Sequence, residues 1–304
     1  MTDNHNDHVA ADMTVDKVLG DSTLAFIGSG TMAEAMIQAL VRIGNLNPDR
    51  IIASGPRAAR GEELRARYAV RVTTDNTTAA KEADILILAI KPQVMPTVLA
   101  ELHHLVRPSG LVFSIVAGIP IATIRDGLDH AAIVRSMPNT PAQVAAGMTV
   151  WTAAPAVTET QRAQAQTILR TMGQEMYVDQ EDALDMATAV SGTGPTFVFL
   201  LMEAMVDAAV HLGFSRRQAR SLILQTVLGS AKFAQQSELH LAQLRNQVTS
   251  PGGTSAEAIY QLEKGGLRTI LSKAIWAAYK KSRLLGERAQ QPANGPLQIG
   301  DNEH

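Results

Sequence analysis

The stretch LAFIGSGTMAEAMIQALVRIG, residues 24–44, constrains this chain most. An apolar run, a glycine turn of the form Gly28-x-Gly30-x-x-Ala33 and an amphipathic run follow one another without a gap. Read physically, this is a strand, a tight turn and a helix. Gly28 permits the turn, Gly30 lets the backbone approach a pyrophosphate, and the small Ala33 lets helix and strand pack closely. The phosphates of a dinucleotide then sit on the helix N-terminus, where backbone N–H groups are unpaired.

The surrounding residues extend that motif into a domain. Short apolar runs recur through residues 22–178 as TLAFIG, RIIAS, ADILILAI, GLVFSIV, AAIVRSM, GMTVWTA and EMYVD, with helical stretches between them. Runs such as ILILAI, apolar without alternation, suit strands buried on both faces of a parallel sheet. The expectation is a doubly wound α/β domain of the Rossmann type. After VDQEDALD (178–185) the strand pattern stops. FVFLLMEAMVDAAVHLG (197–213) reads as one long helix, started by Pro195 and ended by Gly213. Its polar residues Glu203, Asp207 and His211 form one narrow stripe, so the rest of its surface needs several neighbours. Ser215 and Gln218 form a capping box for the next helix, a third helix follows Thr254, and a fourth covers about 267–286. So much apolar surface on a small helical domain suits half of a dimer. The expected organisation is a tail over 1–20, a dinucleotide domain over 21–179, an all-α domain over 180–289 and a tail over 290–304, both tails being disordered.

Composition excludes several classes. The 304 residues contain no cysteine, which removes disulfides, thiolate catalysis and Cys-based metal sites. The histidines lack metal-site spacing, so no metal is expected. A net charge of −2 with scattered Lys and Arg gives no basic field for nucleic acid. The acidic, polar start is unlike a signal peptide, and apolar runs such as ILILAI are too short to cross a bilayer, so a cytoplasmic protein without a membrane partner is expected.

The cofactor's identity turns on the end of the second strand, RIIASGPRAAR (50–60). An acid there would suit the ribose 2′-hydroxyl of NAD and repel a 2′-phosphate. This chain instead has Ser54 and Gly55, then Arg57 and Arg60, a hydroxyl and guanidinium set suited to phosphate. NADPH is therefore expected, with NADH the weaker alternative.

A second glycine turn, TSPGGTSAEAIYQLEKGG (249–266), also runs into an amphipathic segment. Thr254-x-x-Glu257 reads as a capping box. The preceding Ser250-Pro251-Gly252-Gly253 and the extra hydroxyl of Ser255 are more than a cap requires, and exposed N–H groups at a helix start favour an anion.

Taken together, IGSGTMAEAM, LAIKPQ (88–93), SIVAGIPI (114–121), RSMPNTPAQVAAGMTV (135–150), SGTGPTFVF (191–199) and TSPGGTSAEAI resemble the pyrroline-5-carboxylate reductase family, from about residue 22 to 286. That family reduces the cyclic imine of Δ1-pyrroline-5-carboxylate to proline. The resemblance implies a homodimer at least, with a decamer as the typical assembly, and a substrate pocket at the dimer interface. It implies cofactor contacts at Ile27, Gly28, Ser29, Gly30, Thr31 and Met32. Further contacts fall at Ser54, Arg57 and Asn76, then at Ala89, Ile90, Lys91 and Pro92. Ala117, Gly118, Pro138 and Asn139 complete the cofactor set. Ser250, Gly252, Gly253, Thr254 and Ser255 match the carboxylate cradle, and Glu238 matches an acid near the substrate nitrogen. Ser255 and Glu238 are thereby the expected catalytic pair. The chain has Ser255 where the family has Thr, SGTGP where it has SGSGP, and Thr196-Phe197 where it has Ala-Tyr. A related imine or hydroxyacid reductase and a non-catalytic NADPH-binding dimer are the alternative readings.

Overall fold

The structure, a computed structural model, describes residues 15–290. Its contacts divide the chain into two units. One runs to Gly192 and resumes at Tyr279; the other is Thr193–Ala278.

The first unit is built on an eight-stranded sheet of order β3-β2-β1-β4-β5-β6-β7-β8. The strands are β1 (Leu24–Ile27), β2 (Ile51–Ser54), β3 (Arg71–Thr73), β4 (Ile85–Leu88), β5 (Leu111–Ser114), β6 (Ile133–Met137), β7 (Gly147–Ala153) and β8 (Gly173–Tyr177). Every residue of β1, β2, β4 and β5 is buried, so both sheet faces are covered. The helices of this unit are α1 (Val15–Leu19), α2 (Thr31–Arg42), α3 (Ala58–Tyr68), α4 (Asn76–Glu82), α5 (Met95–Leu102), α6 (Ile121–Leu128), α7 (Glu159–Arg170) and α8 (Ala183–Ala187). Strand order reverses between β1 and β4, the crevice where ligands of open α/β sheets bind.

Three expectations need correction here. The tail read over 1–20 includes α1, whose Leu19 is fully buried in the core; the rest of that tail, 1–14, and residues 291–304 lie outside the described residues. The edge strand β3 had no apolar run to announce it, being the three residues RVT. The sheet is also not parallel throughout, because β7 runs antiparallel to β6 while β8 is parallel to β7. Residues 138–146, which join β6 to β7, form a short link around the 3-10 turn Thr140–Val144. That is too short for the crossover that a parallel neighbour requires.

An ion-pair network closes this unit. Arg135, on β6 and almost fully buried, donates to Glu181 at 2.7 Å and lies 3.6 Å from Asp185 of α8. Glu181 also accepts the Ile121 N–H at the start of α6 (2.8 Å), and Asp185 accepts the Ser282 hydroxyl (3.0 Å). Sharing the carboxylates among several donors is what makes a buried guanidinium tolerable.

The second unit holds α9 (Gly194–His211), α10 (Arg216–Gln235), α11 (Leu241–Gln247), α12 (Thr254–Lys264) and the start of α13 (Leu267–Gln290). Pro195 sits in the first turn of α9 and Gly213 adopts a φ of 110° just past its end, as the sequence indicates. The Ser215–Gln218 capping box is formed. α9 and α10 pack on each other, yet α9 has no buried residue, and Phe199 and Leu200 are 62% and 65% exposed.

Two further expectations change in this part of the chain. The helical stretch Ala183–His211, 29 residues, is long and apolar enough to cross a membrane by length and composition alone, contrary to the expectation from ILILAI. It contains Glu203 and Asp207, with Asp207 accepting from Arg216 at 3.0 Å, and a π-helical turn, Thr188–Gly192, interrupts its regular winding. Thr254 is not the cap of α12. Gly253 holds that place with no side-chain cap, and Glu257 accepts from Gln261 (2.8 Å). A glycine already extended at the cap leaves the hydroxyls of Thr254 and Ser255 unused for capping.

Candidate active site

The turn 27–32 is pinned from its neighbours. The Ala89 N–H donates to the Ile27 carbonyl (2.8 Å), and the Gly28 N–H donates to the Ser54 carbonyl (2.9 Å). Gly28 has a φ of 106°, and a Cβ there would stand 2.4 Å from the Ala89 oxygen, so both backbone shape and space demand glycine. Gly30 differs. Its φ is ordinary, and no atom lies within 4 Å of where its Cβ would be. Nothing among the described residues requires a glycine at that position; the close approach of a pyrophosphate would. The N–H groups of Gly30, Thr31 and Met32 have no acceptor among the described residues, while Ala33 is fully buried as the helix–strand contact. The donor set thus fits a dinucleotide diphosphate.

At the end of β2, Ser54 is fully buried and its hydroxyl donates to the Asn76 side-chain oxygen (2.7 Å). Asn76 opens α4 and donates to Glu101 at 2.8 Å. Ser54 therefore fixes Asn76 and is not itself a free donor. The two arginines behave differently. Arg57 is exposed and has no ion pair among the described residues. Arg60 donates from Nε to the Ser29 carbonyl (3.0 Å), from Nη1 to Glu63 (2.8 Å), and from Nη2 to Glu34. Glu34 also accepts from Arg67 (2.8 Å) and from the Tyr68 hydroxyl (3.0 Å). Burial by itself pushes the Glu34 carboxyl up, but the bonds from Arg60, Tyr68 and Arg67 outweigh it and hold it below its ordinary value. Nothing in the sequence singles out Glu34, which occupies one polar position of an amphipathic helix.

The next group follows β4 and β5. Ala89 and Ile90 are half-buried, and exposed Lys91 precedes Pro92 and the 3-10 turn Pro92–Val94. The Lys91 ammonium has no partner among the described residues. Ala117 is half-buried. Gly118 is buried with a φ of 75°, and a Cβ there would meet the Gly286 backbone of α13 at 3.1 Å. Close backbone packing against α13 accounts for glycine at 118.

Pro138 is buried beside Asn139. The Asn139 side chain accepts the Met148 N–H (2.9 Å) and donates to the Ser191 carbonyl and hydroxyl (3.3 and 3.2 Å). It thereby joins the start of β7 to the π-helical turn, and its polar atoms are committed to the protein. Ser191 opens the SGTGPTFVF stretch but had no role assigned to it from the sequence.

In the second unit, Ser250-Pro251-Gly252-Gly253 folds as a type II turn. The Gly253 N–H donates to the Ser250 carbonyl (3.0 Å), and Gly252, with a φ of 69°, takes the position that favours glycine. The turn delivers the chain into α12 with the N–H groups of Thr254 and Ser255 lacking an acceptor among the described residues. Thr254 is exposed and Ser255 half-buried. Glu238 lies in the segment between α10 and α11, exposed and without an ion pair among the described residues, and it makes no hydrogen bond to the 250–255 turn. Among the described residues no group of three His, Asp or Glu side chains converges as a metal site.

Comparison with known proteins follows the same division. Residues 181–285 match a family model described as pyrroline-5-carboxylate reductase dimerisation, and residues 23–118 match one described as NADP oxidoreductase coenzyme F420-dependent. A pyrroline-5-carboxylate reductase of Synechocystis is 43% identical over 266 residues, covering 87% of this chain and 98% of that protein. The solved structure of a pyrroline-5-carboxylate reductase from Coxiella burnetii superposes with a TM-score of 0.80 at 38% identity, covering 87% of this chain and 98% of its own. That of the pyrroline carboxylate reductase from Plasmodium falciparum, with NADP bound, also reaches 0.80, at 29% identity and the same coverages. A shared Rossmann half would account for the first unit alone, but these matches run through both. The chain belongs to the pyrroline-5-carboxylate reductase family.

Proposed function

We propose that this chain reduces the C=N bond of Δ1-pyrroline-5-carboxylate to give L-proline, using NADPH in preference to NADH. The match to relatives named for this reaction over 87% of this chain carries the reading, with family models that span the phosphate turn (23–118) and the 250–255 turn (181–285).

Reduction needs an electrophilic carbon. Hydride addition to a neutral imine would leave negative charge on nitrogen, so the protonated iminium is the productive form. Bound NADPH supplies the hydride, which forms the new C–H bond while the C=N π pair returns to nitrogen. The protein's part is placement and charge. The Thr254 and Ser255 N–H groups, with Gly253 at the helix start, hold the substrate carboxylate. The Ser250 hydroxyl lies on the same turn, and the Ser255 hydroxyl accepts from the ring N–H. Glu238 favours positive charge on that nitrogen, through water, and relays its proton.

On the cofactor side, the N–H groups of Gly30, Thr31 and Met32 receive the diphosphate. Arg57, with its guanidinium uncommitted, takes the 2′-phosphate, and Asn76, fixed by Ser54, faces the adenosine. Ala89 to Pro92, Ala117 and Gly118 line the dinucleotide, and Pro138 and Asn139 shape the nicotinamide end. The protein acts in the cytoplasm as a homodimer, with a decamer as the higher assembly. The bare apolar α9 and the dimerisation model over 181–285 support the dimer.

The test follows NADPH and NADH oxidation with pyrroline-5-carboxylate, pyrroline-2-carboxylate and 3-hydroxy acids in turn. Turnover is expected with the first substrate and a higher kcat/KM with NADPH. Preference for another acid would overturn the substrate, and preference for NADH would overturn the role of Arg57.

A further inference from the structure

The geometry points to Arg60 as a positioning residue of the phosphate turn: its guanidinium holds the Ser29 carbonyl so that the Gly30 N–H faces the dinucleotide diphosphate. This rests on the reading of the turn as the NADPH site and adds a residue that touches neither substrate nor cofactor.

The peptide unit between Ser29 and Gly30 couples the two groups. A trans peptide is planar, so its C=O and N–H point in opposite directions. Whatever grips the Ser29 oxygen also aims the Gly30 hydrogen. The orientation of this peptide turns partly on the N–Cα bond of Gly30, and glycine resists rotation least. Its neighbours are fixed by the bonds to Ser54 and Ala89, and a Cβ on Gly55 would stand 2.4 Å from the Ser29 hydroxyl. None of these contacts holds the Ser29 carbonyl. Arg60 Nε does, at 3.0 Å.

Arg60 is itself held in place. Its side chain is 16% exposed, and both terminal nitrogens are engaged, one by Glu34 in the first turn of α2 and the other by Glu63. Glu34 is in turn steadied by Arg67 and Tyr68. The clamp thus runs from α3 through α2 to the carbonyl, and its charge is balanced by two carboxylates. All three guanidinium nitrogens of Arg60 already have an acceptor, in contrast to Arg57.

Opposite consequences follow for the two arginines. A residue that aims the Gly30 N–H serves NADPH and NADH alike, since both have the diphosphate. A residue on the 2′-phosphate serves NADPH alone. Calorimetric titration of NADPH and NADH into wild type, Arg60→Gln, Arg60→Lys and Arg57→Gln separates them. Lysine keeps the charge but cannot reach the carbonyl and both acids with a fixed fork. Both Arg60 variants are expected to weaken NADPH and NADH by the same factor, about tenfold for one lost charge-assisted bond. The KM values for NADPH and for NADH should rise together in both variants, so that their ratio stays at the wild-type value. Arg57→Gln should weaken NADPH only. Unchanged affinity in the Arg60 variants, or a selective loss of NADPH, would overturn the clamp while leaving the proposed function intact. Failure of wild type to bind either dinucleotide would overturn the functional reading itself.

Discussion

Ser255 bears the most specific chemical assignment proposed for the chain, at a position where the family resemblance implies threonine. Serine keeps the hydroxyl of threonine without the stiffness of a β-branched side chain. Because Gly253 caps α12, the Ser255 hydroxyl is not needed to close the helix and is available to a ligand. Ser255→Ala should therefore lower kcat/KM for the imine by roughly ten- to a hundredfold, one hydrogen bond to a charged group. The Kd for NADPH should be unaffected. Wild-type turnover in the variant, measured under saturating NADPH, would remove Ser255 from the mechanism. The type of residue at such positions was readable from the sequence, but not its allocation. Arg57 and Arg60 stand three positions apart on one short segment and are indistinguishable by composition. Only the placement of Glu34, Glu63 and the Ser29 carbonyl commits Arg60 and leaves Arg57 uncommitted.

At the scale of elements, termini decide function here. α4 starts at Asn76, the residue that receives Ser54, and Asp75 caps it by accepting the N–H groups of Thr77 and Thr78 at 2.9 and 3.3 Å. The Thr78 hydroxyl first, then the Thr77 hydroxyl and the two N–H groups, hold the Asp75 carboxyl down at about 2, against an ordinary value of 3.8. A lowered folded value means that the ionised cap stabilises the fold above the ordinary carboxylate range. This contribution is lost as pH falls from about 4 through about 2. An NMR titration of the Asp75 carboxyl should find its midpoint near 2, with amide protection of Thr77 and Thr78 falling over the same interval. A midpoint near the ordinary value would contradict the cap. Signals for elements were unevenly legible. Continuous apolar runs marked β1, β4 and β5, and Ser215 with Gln218 marked the start of α10, because their causes lie within a few residues. The three-residue β3 and the extended Gly253 cap had no such local cause, and the latter displaced Thr254 from the role its spacing suggested.

For the whole molecule, the decisive observation is that α9, eighteen residues long, buries none of them within one chain. A helix this apolar on most sides must be covered by another copy or a membrane, and the charged positions Glu203 and Asp207 favour protein. Stability should accordingly depend on mass action: the melting temperature should rise with protein concentration. Leu200→Glu should shift the assembly to smaller species in light scattering and lower the melting temperature. A concentration-independent melting temperature with a monomeric mass would refute the dimer. The sequence by itself determined the strand–turn–helix that opens the dinucleotide half, the change from strands to helices after residue 178, and the two amide-rich helix starts. These follow from backbone sterics and from the period of apolar residues, both of which act between near neighbours. Tertiary structure alone decided which groups are spent and which are free. Arg135 meets Glu181 across 46 positions, Asn139 meets Ser191 across 52, and Arg60 meets the Ser29 carbonyl across 31. Such partnerships exist only once the sheet order is set, because hydrogen bonds and ion pairs act over a few ångströms in space without regard to distance along the chain.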